Sequence, residues 1–270
     1  VVSELNLVID PRTNDVRRDM STSTNHAVSQ ADLTPDPAIT AIIEKWQPLA
    51  DDALPTPLGT ITADILRGGI GGSDRGVESA AGNLVADAQQ WATSANGADV
   101  AFMNPGGVRS DLTYAQSQTP PEGDGVVTYG EAVTFQPFHN TLQTFPMTGA
   151  QIVSVLEEQC QPSGSSRPFL HLGVSKGFTY DLSTTIAAGE CTNVTVSNVK
   201  LNGTALSDTV TYTVTANIFL ADGGDNFTTF ATIDPALRLD GGDDLQALAN
   251  YLAVFSPVAP PSTDRVNELP

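Results

Sequence analysis

Three glycine-rich turns carry the residues of this chain best suited to grip a ligand. They are "GGSDRG" with Arg75, "NPGGVR" with Asn104, Gly106, Gly107 and Arg109, and "ADGGDNF" with Gly223, Gly224 and Asp225. Each turn follows a stretch that reads as a strand, and loops at strand ends are where mixed α/β folds place ligand sites. Paired glycines let backbone N–H groups approach a ligand closely, and an arginine offers a planar, permanently charged fork to phosphate oxygens. One Gly-Gly pair is most often an ordinary tight turn; three in the same context carry more weight. Two loop phenylalanines, Phe138 in "TFQPFHN" and Phe219 in "NIFLADGGD", complete the set. Either alone reads as satellite core. Facing each other, they would form a slot for a flat ring, with stacking worth about 1–3 kcal/mol per base. Slot, acid and arginines together describe a nucleotide: base between the rings, ribose hydroxyls on Asp225, phosphates on Arg75 and Arg109.

Other chemistry is poorly provided for. The histidines, His26, His139 and His171, lie far apart, without the spacing of a metal site. No serine nucleophile elbow is present. Paired acids such as Asp243 with Asp244 or Glu157 with Glu158 read as solvated helix ends and faces. No complete catalytic centre is legible.

At 270 residues, 40% apolar and 16% charged, the chain has enough material for a full core in one large domain or two small ones. Twelve basic against 31 acidic residues give a net charge of -19, a field that disfavours nucleic acid polymers and anionic membranes. A small anion binds such a protein only where a few arginines make a local positive site. No stretch has the length of a membrane span. Cys160 and Cys191 are compatible with a disulfide or with two buried thiols, and the acidic, Thr-rich, Lys-poor composition of an exported protein favours the disulfide. Sequons at Asn193, Asn202 and Asn226 decide nothing.

The elements that must position these residues alternate irregularly. "ELNLVIDPRTNDVRRDM" reads as a hairpin turning near Asp10 to Asn14, and the polar stretch Ser21 to Asp36 as a linker. Opening in mid-hairpin is expected of a piece of something longer. Ile39, Ile42, Ile43 and Trp46 have helical spacing, with closure expected at Pro48 or soon after. "LGTITADIL" and "ADVAFM" read as strands, with a helix between them burying Val77, Ala81, Leu84, Val85, Ala88 and Trp91. Capping boxes at Thr128 to Glu131 and Thr148 to Gln151 start two further helices. "TLQTFPM", "GVSKGFTYDL", "VTVSNVKLNGTAL" and "TVTYTVTANIFL" read as strands, the third closed by an Asn202-Gly203 turn. "DDLQALANYLAVF" is a last amphipathic helix before a Pro-rich tail. The expected class is α+β, a mixed β-sheet with flanking helices.

"AGNLVADAQQW", "ADVAFMNPGGVRSDL", "YGEAVTFQPFHNTL", "MTGAQIVSVLEEQ" and "FLADGGDNF", in this order, resemble the C-terminal domain of the 5'-nucleotidases, the group that includes ecto-5'-nucleotidase and bacterial periplasmic UDP-sugar hydrolase. The resemblance runs from about Leu58 to Phe255. It implies that residues 1–35 are the end of an N-terminal metallophosphoesterase domain plus linker, 36–56 an interdomain helix or hinge, and 57–270 the nucleotide-binding domain. By motif position, Arg75 is implied on the phosphate or ribose side, Asn104 and Arg109 in the family's Asn-Gly-Gly-Gly-x-Arg loop, Phe138 and Phe219 around the base, and Asp225 on the ribose. Pro105 stands where the family usually has glycine and removes one backbone donor. The resemblance further implies a secreted, periplasmic or cell-surface protein acting on nucleoside mono- or diphosphates. Two divalent metal ions, such as zinc or manganese, belong to the N-terminal domain, so this stretch alone is expected to bind and not to cleave. Sister activities remain open: UDP-sugar hydrolase, 2',3'-cyclic-nucleotide phosphodiesterase, NAD nucleotidase, or a stand-alone non-catalytic nucleotide-binding or cell-surface module.

Overall fold

A computed structural model describes residues 1–269 except 30, 32 and 117–121. The chain folds as two units, Val1–Ala50 and Asp51–Pro270.

In the first unit, β1 (Val2–Asn6) lies antiparallel to β4 (Thr22–His26), and β2 (Ile9–Asp10) to β3 (Asp15–Val16). The turn between β2 and β3 falls where the sequence places it, closed by the Asn14 N–H on the Asp10 carbonyl at 2.8 Å, with Asn14 at φ 55°. Residues 22–26, expected in a linker, are instead a paired strand. Strand pairing is satisfied by the backbone, and "TSTNH" is polar on both faces, so it carries no apolar alternation to announce it. The helix α1 (Pro37–Ala53) starts on the Asp36 carboxylate, which accepts from the Ala38 N–H at 2.8 Å, and it contains Pro48 and runs on to Ala53.

The second unit adds, in chain order, β5 (Pro57–Thr60), α2 (Ala80–Ala92), β6 (Val100–Met103), β7 (Val126–Thr128), α3 (Tyr129–Phe135), β8 (Thr141–Thr148) and α4 (Gly149–Glu157). There follow β9 (Gly173–Val174), β10 (Phe178–Ala187), β11 (Glu190–Leu201), β12 (Thr204–Ala205), β13 (Thr211–Asn217), α5 (Ile218–Ala221), β14 (Leu239–Asp243), α6 (Asp244–Phe255) and β15 (Val266–Leu269). A five-stranded sheet has the order β14-β8-β13-β6-β9, a four-stranded sheet the order β12-β11-β10-β15, and β5 pairs with β7. β13 runs parallel to β6 and antiparallel to β8. The architecture is therefore α+β with mixed sheets and flanking helices.

Every residue of β6 is buried; Val100 and Phe102 belong to one hydrophobic cluster and Met103 to another. Phe102 packs with Phe145, Phe178 and Phe230; Met103 packs with Leu84, Phe135 and Leu248. Two-sided burial explains the unbroken apolar run "VAFM". α2 buries Ala81, Leu84, Val85 and Ala88 as its spacing requires, with Ser79 as N-cap, while Val77 precedes the helix. Both capping boxes form, Thr128 with Glu131 and Thr148 with Gln151.

Two expected strands change at their ends, and one strand is unexpected. "GVSKGFTYDL" splits into β9 and β10 at a turn where Gly177 has φ +90°. "TVTYTVTANIFL" stops at Asn217, whose side-chain oxygen accepts from the Leu220 N–H at 3.0 Å and caps α5. The Pro-rich tail returns as β15, parallel to β10 with Val266 opposite Tyr180. Cys160 and Cys191 form a disulfide with their Cα atoms 5.5 Å apart. Among the described residues no helix is long and apolar enough to cross a membrane.

Candidate functional site

β6 delivers the chain through Asn104 into a tight turn, Pro105–Gly107, closed by the Gly107 N–H on the Asn104 carbonyl at 3.0 Å. A Cβ on Gly107 would collide with the Met103 side chain. At Gly106, a Cβ would lie 3.1 Å from Nη1 of Arg75, 3.3 Å from Oδ2 of Asp225 and 3.4 Å from Nδ2 of Asn104. Three polar side chains from three loops thus converge on one bare Cα.

Hydrogen bonds fix that convergence. Asn104 Nδ2 donates to Asp225 Oδ2 at 2.9 Å, and Asn217 Nδ2 donates to Asn104 Oδ1 at 3.1 Å. Because Asn217 also caps α5, one network ties the ring-bearing helix to the acid. Asp225 has φ 53° and Asn226 φ 64°, left-handed conformations that non-glycine residues adopt at a cost of about 1–3 kcal/mol each. Gln161 Nε2 donates to the Asp225 carbonyl at 3.0 Å, and Gln161 Oε1 accepts from Asn226 Nδ2 at 2.8 Å, which holds the loop in that state. Gln161 directly follows Cys160 of the disulfide. Gly223 precedes this run at φ +85°.

Both aromatics lie between the Asn104–Arg109 and Gly223–Asp225 loops in sequence. Phe219 lies on α5 and is 44% exposed, and Gly224 backs it: a Cβ there would come within 2.5 Å of the Phe219 ring. Phe138, 53% exposed, follows α3, and the Arg109 guanidinium lies 5.9 Å from its ring centroid. Arg109 is anchored by its own N–H, which donates to the Phe135 carbonyl at 2.9 Å.

A cleft of about 180 Å³ is lined by Arg75, Asn104, Gly106, Gly107, Phe138, Phe219 and Asp225, together with Asn140. Arg109, Gly223 and Gly224 are not among the lining residues; Arg109 lies against the Phe138 ring and Gly224 against the Phe219 ring. Asn140 carries no motif of its own, and its place two residues after Phe138 in "YGEAVTFQPFHNTL" is the signal the sequence offers. It is held by Asp244, whose two carboxylate oxygens accept from the Asn140 N–H at 3.1 Å and from Nδ2 at 3.3 Å. Gln161 and Asn217 gave no sequence signal, because their work is done through contacts distant in sequence.

Burial holds the Arg75 guanidinium below its ordinary range, with Arg167, Arg109 and Arg67 pushing the same way and Asp225 opposing them. Burial also raises Asp244 to about 6. His171 is buried, lowered to about 4 by desolvation, with Nδ1 3.0 Å from the Leu172 carbonyl. Among the described residues no group of three His, Cys, Asp or Glu side chains could hold a metal ion. The cleft can stack, accept hydroxyl protons in hydrogen bonds and neutralise an anion.

The chain is 30% identical over 253 residues to a cell wall protein of Listeria monocytogenes, covering 88% of this chain and 31% of that protein. It is 30% identical over 151 residues to the NAD 5'-nucleotidase of Haemophilus influenzae, covering 54% of this chain and 23% of that protein. The fold matches the crystal structure of a 5'-nucleotidase precursor from Thermus thermophilus with a TM-score of 0.63 at 24% identity, over 99% of this chain and 49% of that one. The chain thus spans less than a third of these two curated relatives and about half of the solved structure. Residues 57–232, which contain the Arg75, Asn104, Phe138, Phe219 and Asp225 loops, match the profile of the 5'-nucleotidase C-terminal domain, and the chain belongs to that family.

Proposed function

We propose that this chain is the nucleotide-gripping domain of an exported 5'-nucleotidase. The base stacks between Phe138 and Phe219, Asp225 accepts hydrogen bonds from the ribose hydroxyls, and Arg75 and Arg109 neutralise the phosphate. The observation that carries this reading is the convergence of Arg75, Asn104 and Asp225 on Gly106, in a cleft whose other walls are Phe138 and Phe219. A flat ring, a diol and an anion match those walls in kind. Hydrolysis of nucleoside 5'-phosphates to nucleoside and phosphate is assigned to a partner metallophosphoesterase domain, where two divalent ions such as zinc or manganese would clamp the attacking and leaving oxygens. In this division of labour residues 1–35 are the end of the partner domain and its linker, 36–56 the hinge and 57–270 the gripping domain. Export is supported by the disulfide and by the likeness to a cell wall protein.

Calorimetric titration with AMP, adenosine and ribose 5-phosphate, on wild type and Phe219→Ala, tests the reading. AMP is expected to bind more tightly than either part, with Phe219→Ala removing most of the base-dependent affinity. Equal affinity for AMP and ribose 5-phosphate would show that the rings do not hold a base.

A further inference from the structure

Arg75 and Asp225 flank Gly106 in the cleft, and residues 158–161, at the C-terminal end of α4, reach both from behind. The Glu157-Glu158 pair reads from sequence as a solvated helix end. Glu158 instead accepts from Thr228 Oγ1 at 2.7 Å, from the Thr229 N–H at 3.0 Å and from Thr229 Oγ1 at 2.9 Å. Three residues on, the buried Gln161 side chain holds the Asp225 carbonyl and the Asn226 amide. The loop of residues 225–229 is thus gripped at both of its ends by one four-residue segment.

That segment also runs antiparallel to residues 168–172. The Gln161 N–H donates to the Pro168 carbonyl at 2.9 Å, the Leu170 N–H to the Gln159 carbonyl at 2.9 Å and the Leu172 N–H to Gln159 Oε1 at 2.8 Å. Between the last two, the His171 N–H donates to the Arg75 carbonyl at 2.8 Å. The support of the acid and the support of the arginine are therefore one piece of backbone.

Cys160 sits inside this piece and is bonded to Cys191 near the start of β11, 31 positions away. β10 and β11 have their own ladder from Phe178 opposite Leu201 to Ala187 opposite Glu190, so their hairpin is closed without the bridge. On the other side, Gln161 leads into a loop whose residues 162–164, 166 and 167 are exposed. Segments with few buried contacts open locally at low cost, and a covalent tie at such an edge removes that freedom before a ligand arrives.

We propose that the Cys160–Cys191 disulfide is a positioning element of the nucleotide cleft: by fixing Cys160 it sets Gln161 under Asp225 and the 168–172 strand behind Arg75, so that the diol and phosphate subsites are held in register with each other. The proposal rests on the nucleotide reading of the cleft. It assigns the bridge to ligand selection, a role distinct from general stabilisation, which would act on all ligands alike. Stacking is outside its reach, because Phe219 is held through Asn217 and Gly224.

The experiment is calorimetric titration of wild type, of Cys160→Ser combined with Cys191→Ser, and of Gln161→Met with its bridge intact. The ligands are AMP, adenosine, 2',3'-dideoxy-AMP and 2',3'-dideoxyadenosine, and the temperature lies below each variant's melting transition. In the double variant the preferences for AMP over 2',3'-dideoxy-AMP and for AMP over adenosine are each expected to fall about threefold to tenfold, the scale of one lost supporting hydrogen bond. 2',3'-Dideoxyadenosine, which offers mainly its base, should bind as it does to wild type. Gln161→Met should lower the diol preference alone. Unchanged preferences in a folded double variant, or an equal loss for all four ligands, would overturn the proposal and leave the cleft standing. If the double variant does not fold, an undiminished diol preference in Gln161→Met overturns it, and a lowered one supports it. A wild type indifferent to diol, phosphate and base would overturn the cleft reading and the proposal with it.

Discussion

Asn104 and Asp225, 121 positions apart, share a 2.9 Å hydrogen bond from amide to carboxylate. The bond uses one lobe of Oδ2 and leaves Oδ1 with no partner among the described residues. Asn104 is 4% exposed and receives a bond in turn from Asn217, so the carboxylate is aimed by a buried network and not by its own loop. Preorganisation of this kind removes an ordering cost from ligand binding.

Asp225→Ala is therefore expected to weaken AMP about tenfold or more, since a hydrogen bond to a charged group contributes about 1.5–3 kcal/mol. The loss should be selective. AMP and 2',3'-dideoxy-AMP, distinguished by the wild type, should bind the variant alike in calorimetry. An undiminished preference for the diol would place the ribose elsewhere.

Gly224→Ala probes the support behind the ring. Its Cβ would fall 2.5 Å from Phe219 Cε1 and 2.6 Å from the Phe219 carbonyl oxygen, so ring and backbone must both give way, at about 1–3 kcal/mol. Thermal melts should show the destabilisation. In titrations, AMP affinity should fall while ribose 5-phosphate affinity stays close to wild type.

The tail is fastened by Arg265, whose Nη1 and Nη2 meet Asp87 Oδ1 and Oδ2 at 2.7 and 2.8 Å with both side chains 9% exposed. Asp87→Ala leaves a buried guanidinium uncompensated and is expected to cost about 3–5 kcal/mol, read from the urea midpoint. Replacing both residues by leucine should recover a large part of that loss; a double variant no better than the single would show that packing, not charge, is what was lost.

Asp244 supplies a pH dependence. Its folded-state value is raised to about 6 from 3.8, chiefly by burial, with Asp243 adding to the effect and Asn140 opposing it. Between those values the folded state binds more protons than the unfolded one, so this group's contribution to stability falls as pH rises from about 4 to about 6 and is level above about 7. The stability of wild type relative to Asp244→Asn, measured by urea unfolding, should decline across that window. A difference independent of pH would mean that folding leaves the Asp244 carboxyl at its unfolded value.

Local signals carried much of this fold. Capping boxes at Thr128 and Thr148, the apolar stripe of α2 and the run "VAFM" needed only neighbours within a few residues, because helix caps and periodicity are short-range effects. The same holds for the turns at Asn14 and Asn202, where a left-handed residue reverses the chain. β4 and β15 carry no such local signal. Their stability comes from a partner strand, β1 or β10, and from Arg265 reaching Asp87 across 178 positions.

The candidate site divides along the same line. By its composition and order the sequence determined the kinds of group available: glycines for close approach, arginines for an anion, an acid for hydroxyls, rings for stacking. Only the tertiary structure decided which of them meet, that Phe219 rides on a short helix capped by Asn217, that Gln161 holds Asp225 left-handed, and that Asn140 lines the cleft. Those decisions depend on contacts between segments far apart in the chain, whose geometry is set by packing of the whole sheet and leaves no periodic mark on the residues that make them.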